Sequence, residues 1–172
     1  MVTNDRYCSY CGHAFRRNQA WPRTCAGCAR VTYRNPLPVG IVLLPVGRGL
    51  IAVRRSIHPG FGKLALPGGY IGVDETWQVA GAREVFEETG IRIDPLGIRD
   101  FRVLSTADAG GLLLVFGLAR RYPVADLPPF VPTDETSERV ILTRPQELAF
   151  PAHTVVVAEY FRKQWRNRRA PG

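Results

Sequence analysis

The chain has 172 residues, 45% of them apolar and 22% charged, with a formal net charge of +8. That composition allows one full hydrophobic core plus one small accessory module. No stretch approaches eighteen consecutive apolar residues and the opening MVTNDRYC has no apolar run, which argues against a membrane-spanning helix or a secretory signal; the expected compartment is the cytoplasm. The positive charge favours acidic ligands such as phosphates and nucleic acids without choosing among them.

In chain order, the cysteines come first. All four fall within the first 28 residues, as Cys8-x2-Cys11 and Cys25-x2-Cys28 with thirteen residues between the pairs. Two knuckles at this spacing predict a tetrahedral all-cysteine zinc site, with disulfides the weaker alternative in a reducing cytosol. Four thiolates leave no open coordination position, so the zinc is expected to be structural, and His13 is not needed as a ligand. So short a segment buries little surface, and the metal must supply much of its folding free energy. Tyr7, Tyr10, Phe15, Arg16, Arg17 and Trp21 surround the knuckles, either as the minimal core and solvated edge of a ribbon or as a surface for RNA or protein.

Residues 33–38, YRNPLP, form a proline-marked extended connector that divides a ribbon over 1–35 from a main domain over 36–172. Residues 39–44 and 50–53 read as buried strands joined by a turn over 45–49, and residues 64–66 as a short strand entering Pro67-Gly68-Gly69. These glycines let backbone approach a metal closely. Further on, strands are expected at 98–104, 112–119 and 139–143, the first two separated by the small-residue loop 105–111. Val155, Val156, Tyr160 and Phe161 give residues 153–166 the apolar stripe of a closing helix, with His153 or Thr154 near its start.

Between these strands, residues 69–91 read GYIGVDETWQVAGAREVFEETGI. At 100° per residue, Val79, Ala82, Val85 and Phe86 fall on one side of a helix and Glu84, Glu87 and Glu88 on the other. A solvated acidic face usually pairs its carboxylates with Lys or Arg at i+4, yet Glu84 meets Glu88 there, a like-charge pair costing about 0.2–0.5 kcal/mol. Glu87 and Glu88 also occupy the last turn, where the helix dipole disfavours negative charge. Carboxylates set against both rules point to a cation, and oxygen ligands without nearby His or Cys point to Mg²⁺ or Mn²⁺. The plain alternative is an acidic surface helix.

The spacing of Gly69, Glu75, Arg83, Glu84, Glu87, Glu88 and Gly90, with aliphatic Val85 and Ile91, resembles the signature of the Nudix hydrolases, G-x5-E-x7-R-E-U-x-E-E-x-G-U, without a mismatch. The resemblance implies an α/β/α sandwich with a mixed sheet, here preceded by a small four-cysteine zinc ribbon. It implies hydrolysis of a diphosphate joining a nucleoside to a second group. Glu84, Glu87 and Glu88, with Gly69, would hold Mg²⁺ or Mn²⁺; Glu75 and Arg83 would position that shell, Arg83 through a bidentate bond to a carboxylate. The candidate catalytic residues are Glu84, Glu87, Arg83 and Glu135, with the general base sought on the helix or among Asp134, Glu135 and Glu138. Arg54, Arg55 and Tyr70 are candidate substrate contacts, with Phe61 and Phe101 as further stacking partners.

The ribbon ahead of this helix is similar to that of the branch containing NADH pyrophosphatases and FAD-pyrophosphatase-like enzymes. Where the former carry S-Q-P-W-P-F-P, this chain has STADAGG at 105–111, while YRNP and ELAFPAHT resemble the latter. The expected substrate is therefore FAD or an ADP-ribose-type dinucleotide. The alternatives are NADH; capped RNA, engaged by the basic ribbon and by Arg162, Lys163, Arg166, Arg168 and Arg169; and nucleotide sensing without hydrolysis. A second copy of the chain is a further candidate partner, and no membrane is expected.

Overall fold

A computed structural model describes residues 6–107 and 111–169, side chains excepted over 167–169, so Asp108–Gly110 of the small-residue loop and the Arg168 and Arg169 side chains fall outside the described residues. The chain divides into two compact units, residues 1–36 and 37–172. No helix among the described residues is long and apolar enough to cross a membrane.

The first unit is built from two equivalent knuckles and the short antiparallel pair β1 (Arg23–Thr24) and β2 (Val31–Thr32). Cys8 N–H donates to His13 O and Gly12 N–H to Cys8 O, each at 2.9 Å; Cys25 to Arg30 O and Ala29 to Cys25 O repeat the pattern at the same length. Both turns need left-handed backbone at their fifth residue, Gly12 with φ 73° and Ala29 with φ 58°. Glycine adopts it freely, whereas alanine bears a cost of about 1 kcal/mol. In place of an apolar core, the Arg23 guanidinium lies 4.3 Å above Trp21 and 5.5 Å from Phe15, and Arg30 lies 4.9 Å over Tyr10.

The second unit runs β3 (Leu37–Leu43), β4 (Pro45–Val46), β5 (Gly49–Arg55), β6 (Leu64–Ala65), β7 (Gly68–Tyr70), α1 (Trp77–Thr89), β8 (Arg99–Thr106), β9 (Leu112–Leu118), β10 (Thr136–Leu142) and α2 (Pro151–Arg169). One sheet has the order β7-β3-β9-β8, with β3 and β9 parallel and the other pairs antiparallel. The other is antiparallel, β10-β5-β4 with β6 also on β5. Period-two alternation sorts β3 and the residue after it between two cores: Ile41 and Leu43 pack with Val156, Val157, Tyr160 and Phe161 of α2, while Val42 and Leu44 share a cluster with Val85 of α1. Strands covered on both faces give continuous apolar runs, and the fold is the mixed α/β sandwich with helices on opposite faces.

Three expectations need correction. Gly68–Tyr70, outside the expected strands, is strand β7, paired with β3 at Gly40↔Gly69. A Cβ on Gly68 would collide with the Gly40 carbonyl, so close backbone approach rather than strand propensity selects glycine. On α1 the packed side is not Val79 and Phe86, which are 43% and 38% exposed; Ala80, Gly81, Val85, Glu88 and Thr89 are buried. The helix seats Gly81 directly against Val42, and the exposed Phe86 ring lies under the Arg92 guanidinium at 3.8 Å. On α2 the helix begins at Pro151, Val155 points outward, and Thr154 Oγ1 accepts from Leu148 N–H at 2.9 Å within the first turn.

Candidate functional site

Thr76 caps α1 by accepting from Val79 N–H, and Gly90 ends it in left-handed backbone (φ 73°) with its N–H on Phe86 O at 2.8 Å. Between these caps the helix turns Glu84, Glu87 and Glu88 towards β7. Any side chain at Gly69 would overlap the Glu84 carboxylate, and Gly68 N–H donates to Glu88 Oε2 at 3.2 Å. The result is a cleft of about 660 Å³ bounded by β7, the carboxylate face of α1, Arg55 and the Thr133–Glu135 turn.

Arg83 is the hub of the acidic face. It grips Glu75 with two bonds, Nε to Oε2 at 3.2 Å and Nη2 to Oε1 at 2.8 Å. Its Nη1 donates to Glu84 at 2.7 Å and Glu87 at 3.1 Å, and Nη2 donates to Tyr70 O at 3.0 Å. The hydrogen bond from Arg83 holds the Glu75 carboxyl below its usual range. One guanidinium thus serves three carboxylates, which tempers the expectation of an uncompensated acidic face. Glu88 is the exception. It is only 5% exposed, and burial, reinforced by the Glu84 charge, pushes its pKa up to about 8. Burial also raises Glu84, against the opposing pull of Arg83.

In the first unit the four Sγ atoms lie within 4.8 Å of one another, with Cys8–Cys28 at 3.7 Å and Cys11–Cys25 at 3.6 Å. A tetrahedron with metal–sulfur bonds of about 2.3 Å requires separations of about 3.8 Å. Tyr10 N–H points at Cys8 Sγ (3.4 Å) and Gly27 N–H at Cys25 Sγ (3.3 Å), equivalent donors that favour thiolates.

The family model of the NUDIX domain matches residues 34–154. The chain belongs to the NUDIX domain family. It is 34% identical over 94 residues to the NAD-capped RNA hydrolase NudC of Edwardsiella ictaluri, and 33% identical over a stretch of the same length to that of Shigella flexneri. Each match covers 54% of this chain and 36% of the relative, so the chain matches little more than a third of their length. Among solved structures, a NUDIX hydrolase from Nitrosomonas europaea superposes with a TM-score of 0.72 over 97% of this chain and 95% of its own, at 24% identity, a likeness of fold. A bifunctional NMN adenylyltransferase/ADP ribose pyrophosphatase from Francisella tularensis, complexed with AMP and a Mn ion, shares 27% identity over 64% of this chain and 35% of its own, with a TM-score of 0.56.

Within this NUDIX domain Gly69, Tyr70, Arg83, Glu84, Glu87, Glu88, Arg55, Asp134 and Glu135 all border one cleft, and Glu75 stands behind Arg83. Arg54 does not face it. Neighbours on a strand point to opposite faces, and Arg54 pairs across β5–β10 with Glu138 at 2.7 Å while donating to Gly62 O at 3.0 Å. Neither Arg54 nor Glu138 borders the cleft, and each is engaged with the other. Phe61 stacks on His58 outside the cleft lining, and Phe101 packs against the α2-side core under Lys163, so Tyr70, 61% exposed, is the aromatic at the site.

Two supporting residues escaped sequence reasoning. His153 is buried between Phe116 and Phe150, its Nδ1 accepting from Leu66 N–H at 3.1 Å; burial lowers its pKa to about 3, so the ring is neutral and ties α2 to the segment that leads into Gly68-Gly69. Thr136 Oγ1 donates to Glu88 O at 3.1 Å and pairs with Thr133, fastening the end of α1 to the turn that carries Glu135. The only available signal for His153 was a lone histidine at a helix start, and Thr136 had none.

Proposed function

We propose that the chain is a Mg²⁺- or Mn²⁺-dependent hydrolase that cleaves the diphosphate of a nucleoside diphosphate linked to a second moiety, FAD or an ADP-ribose-type dinucleotide foremost, with zinc as a structural ion in the ribbon. The carrying observation is the convergence of Glu84, Glu87 and buried Glu88 on the glycine backbone of β7, with Arg83 as the cation bonded to this acidic face. Glu88 has no cationic hydrogen-bond partner among the described residues, a deficit a divalent ion fits, and an all-oxygen donor set suits Mg²⁺ or Mn²⁺. Glu84, Glu87, Glu88 and the backbone at Gly69 would hold such an ion, which would supply positive charge against the negative charge that builds on the diphosphate oxygens. The four thiols, closed on one another, fit a tetrahedral zinc without an open position.

The residues divide the remaining work. Water adds across the P–O–P bridge: its oxygen bonds one phosphorus, the bridging P–O bond breaks, and its proton leaves to a base. Glu135, a carboxylate on the cleft wall facing the α1 set, is our candidate for that base, with Glu87 the alternative on the helix. Arg83, locked by Glu75, orients Glu84 and Glu87. Arg55, on the cleft wall with its Nε held by Pro59 O at 2.8 Å, is our candidate for contacting phosphate oxygens, and exposed Tyr70 offers a stacking face.

This arrangement has a pH consequence. Without a divalent ion, Glu88 titrates near 8 in the folded chain against an ordinary value of 4.5, so its contribution to stability is full below about 4.5 and is lost as pH rises through about 8. Metal-free protein should therefore melt lower at high pH, and added Mg²⁺ should raise Tm more at pH 8.5 than at pH 6. Thermal unfolding at both values, with and without Mg²⁺, checks this; equal Mg²⁺ shifts would contradict it.

Substrate choice rests on the loop at 105–111, which has no Trp, Phe or Pro to form a rigid stacking wall. FAD or ADP-ribose should accordingly exceed NADH in kcat/KM at one metal concentration. A clear preference for NADH would overturn that choice. A second reading, cleavage of NAD-capped RNA, is favoured by the likeness to NAD-capped RNA hydrolases, and measuring such an RNA in the same series separates the two.

A further inference from the structure

A second charged concavity lies at the opposite end of the NUDIX domain from the carboxylates. Two adjoining cavities of about 450 and 260 Å³ share Arg121, Tyr160 and Gln164 in their walls and together form one trough. Arg99 and Arg120 line the first and Arg48 the second. Neither wall contains a carboxylate, and no ion pair to these four arginines occurs among the described residues. Trp165, 51% exposed, flanks the arginines on α2.

Four like charges gathered without counterions repel one another, so the arrangement is stable only where solvent screens it and is well suited to an anion. All four are arginines, whose planar forks match phosphate oxygens bidentately, and an exposed indole offers a face to a base. The trough does not belong to the acidic cleft. Arg55 at one end of β5 lines the cleft, whereas Arg48 immediately precedes its other end, and a strand of that length separates the two sites by about 20 Å. No residue lines both.

We propose that this trough is a second, metal-independent binding site for a nucleotide phosphate, with Arg99, Arg120 and Arg121 taking the phosphate and Trp165 the base. The same chemistry is presented by a free nucleotide and by a nucleotide within a single strand of RNA. Its test is equilibrium binding of AMP and of a fluorescein-labelled oligouridylate to the full, zinc-loaded chain in Mg²⁺-free buffer, where the acidic cleft repels anions. Arg99→Ser/Arg120→Ser should weaken binding at least tenfold, whereas Arg16→Ser/Arg17→Ser in the ribbon should leave it within twofold. Leu96→Glu, which puts a carboxylate on an exposed rim position without touching the core, should weaken binding in the same direction and covers a failure of the double variant to fold. AMP binding that matches or exceeds that of the oligonucleotide identifies a free nucleotide; tighter oligonucleotide binding with a steep salt dependence identifies a strand. Either outcome supports the site. Absence of binding by both probes, or binding lost only with the ribbon pair, overturns it.

Discussion

Glu88→Gln and Glu87→Gln should each cut Mg²⁺-dependent hydrolysis at least about a hundredfold while leaving the fold intact, because each removes a charge from the proposed ligand set and no packing volume. The two positions test different parts of the site. The Glu88 carboxylate is buried and, among the described residues, hydrogen-bonded only to Gly68 N–H, so its amide isostere loses little in the metal-free fold. Glu87 is more than half exposed and shares Arg83 with Glu84 and Glu75. Steady-state kcat/KM with thermal melting of each variant is the measurement, and Glu138→Gln, whose carboxylate is engaged with Arg54, serves as the nearby control expected to stay within a few-fold. Near-normal turnover in both helix variants would sink the assignment of the carboxylates.

The second large effect lies in the ribbon. The isolated protein should carry about one zinc per chain that resists mild dialysis, and Cys8→Ser or Cys25→Ser should destabilise residues 1–36 while Mg²⁺-dependent chemistry persists. Both cysteines are buried, and their knuckles depend on backbone donors aimed at sulfur rather than on a hydrophobic core. Metal analysis together with proteolysis of this segment reads the effect. Absence of zinc with four free or disulfide-bonded cysteines would refute the ribbon.

The carboxylate cluster was legible because helical periodicity and spacing converge on it: three glutamates within five residues, capped by Gly90, have few ways to arrange themselves. The burial of Glu88 was not legible. Hydrophobic periodicity weighs side chains, and α1 approaches Val42 at Gly81, which has none, so the pattern groups Val79 and Phe86 with buried Val85 although both are exposed. Strand β7 was hidden for a related reason, since glycines have poor strand propensity and it is tertiary closeness that requires them. For Arg54 and Arg55, period-two alternation guarantees that the neighbours face apart, but which one meets the cleft depends on register with β10. The Glu135 loop reaches the carboxylates through Thr136 and the Glu88 carbonyl, a contact spanning 48 residues that no local pattern carries.

Incubation with Mg²⁺ or Mn²⁺ across dinucleotides, nucleotide sugars, nucleoside triphosphates and capped RNA, with products identified by mass, tests the hydrolytic reading most directly. Hydrolysis at this cleft requires two phosphorylated products from a diphosphate-linked nucleoside, such as AMP and ribose 5-phosphate from ADP-ribose, with formation dependent on the divalent ion. Nucleotide binding with every substrate recovered intact would contradict it and leave a domain that senses nucleotides without cleaving them.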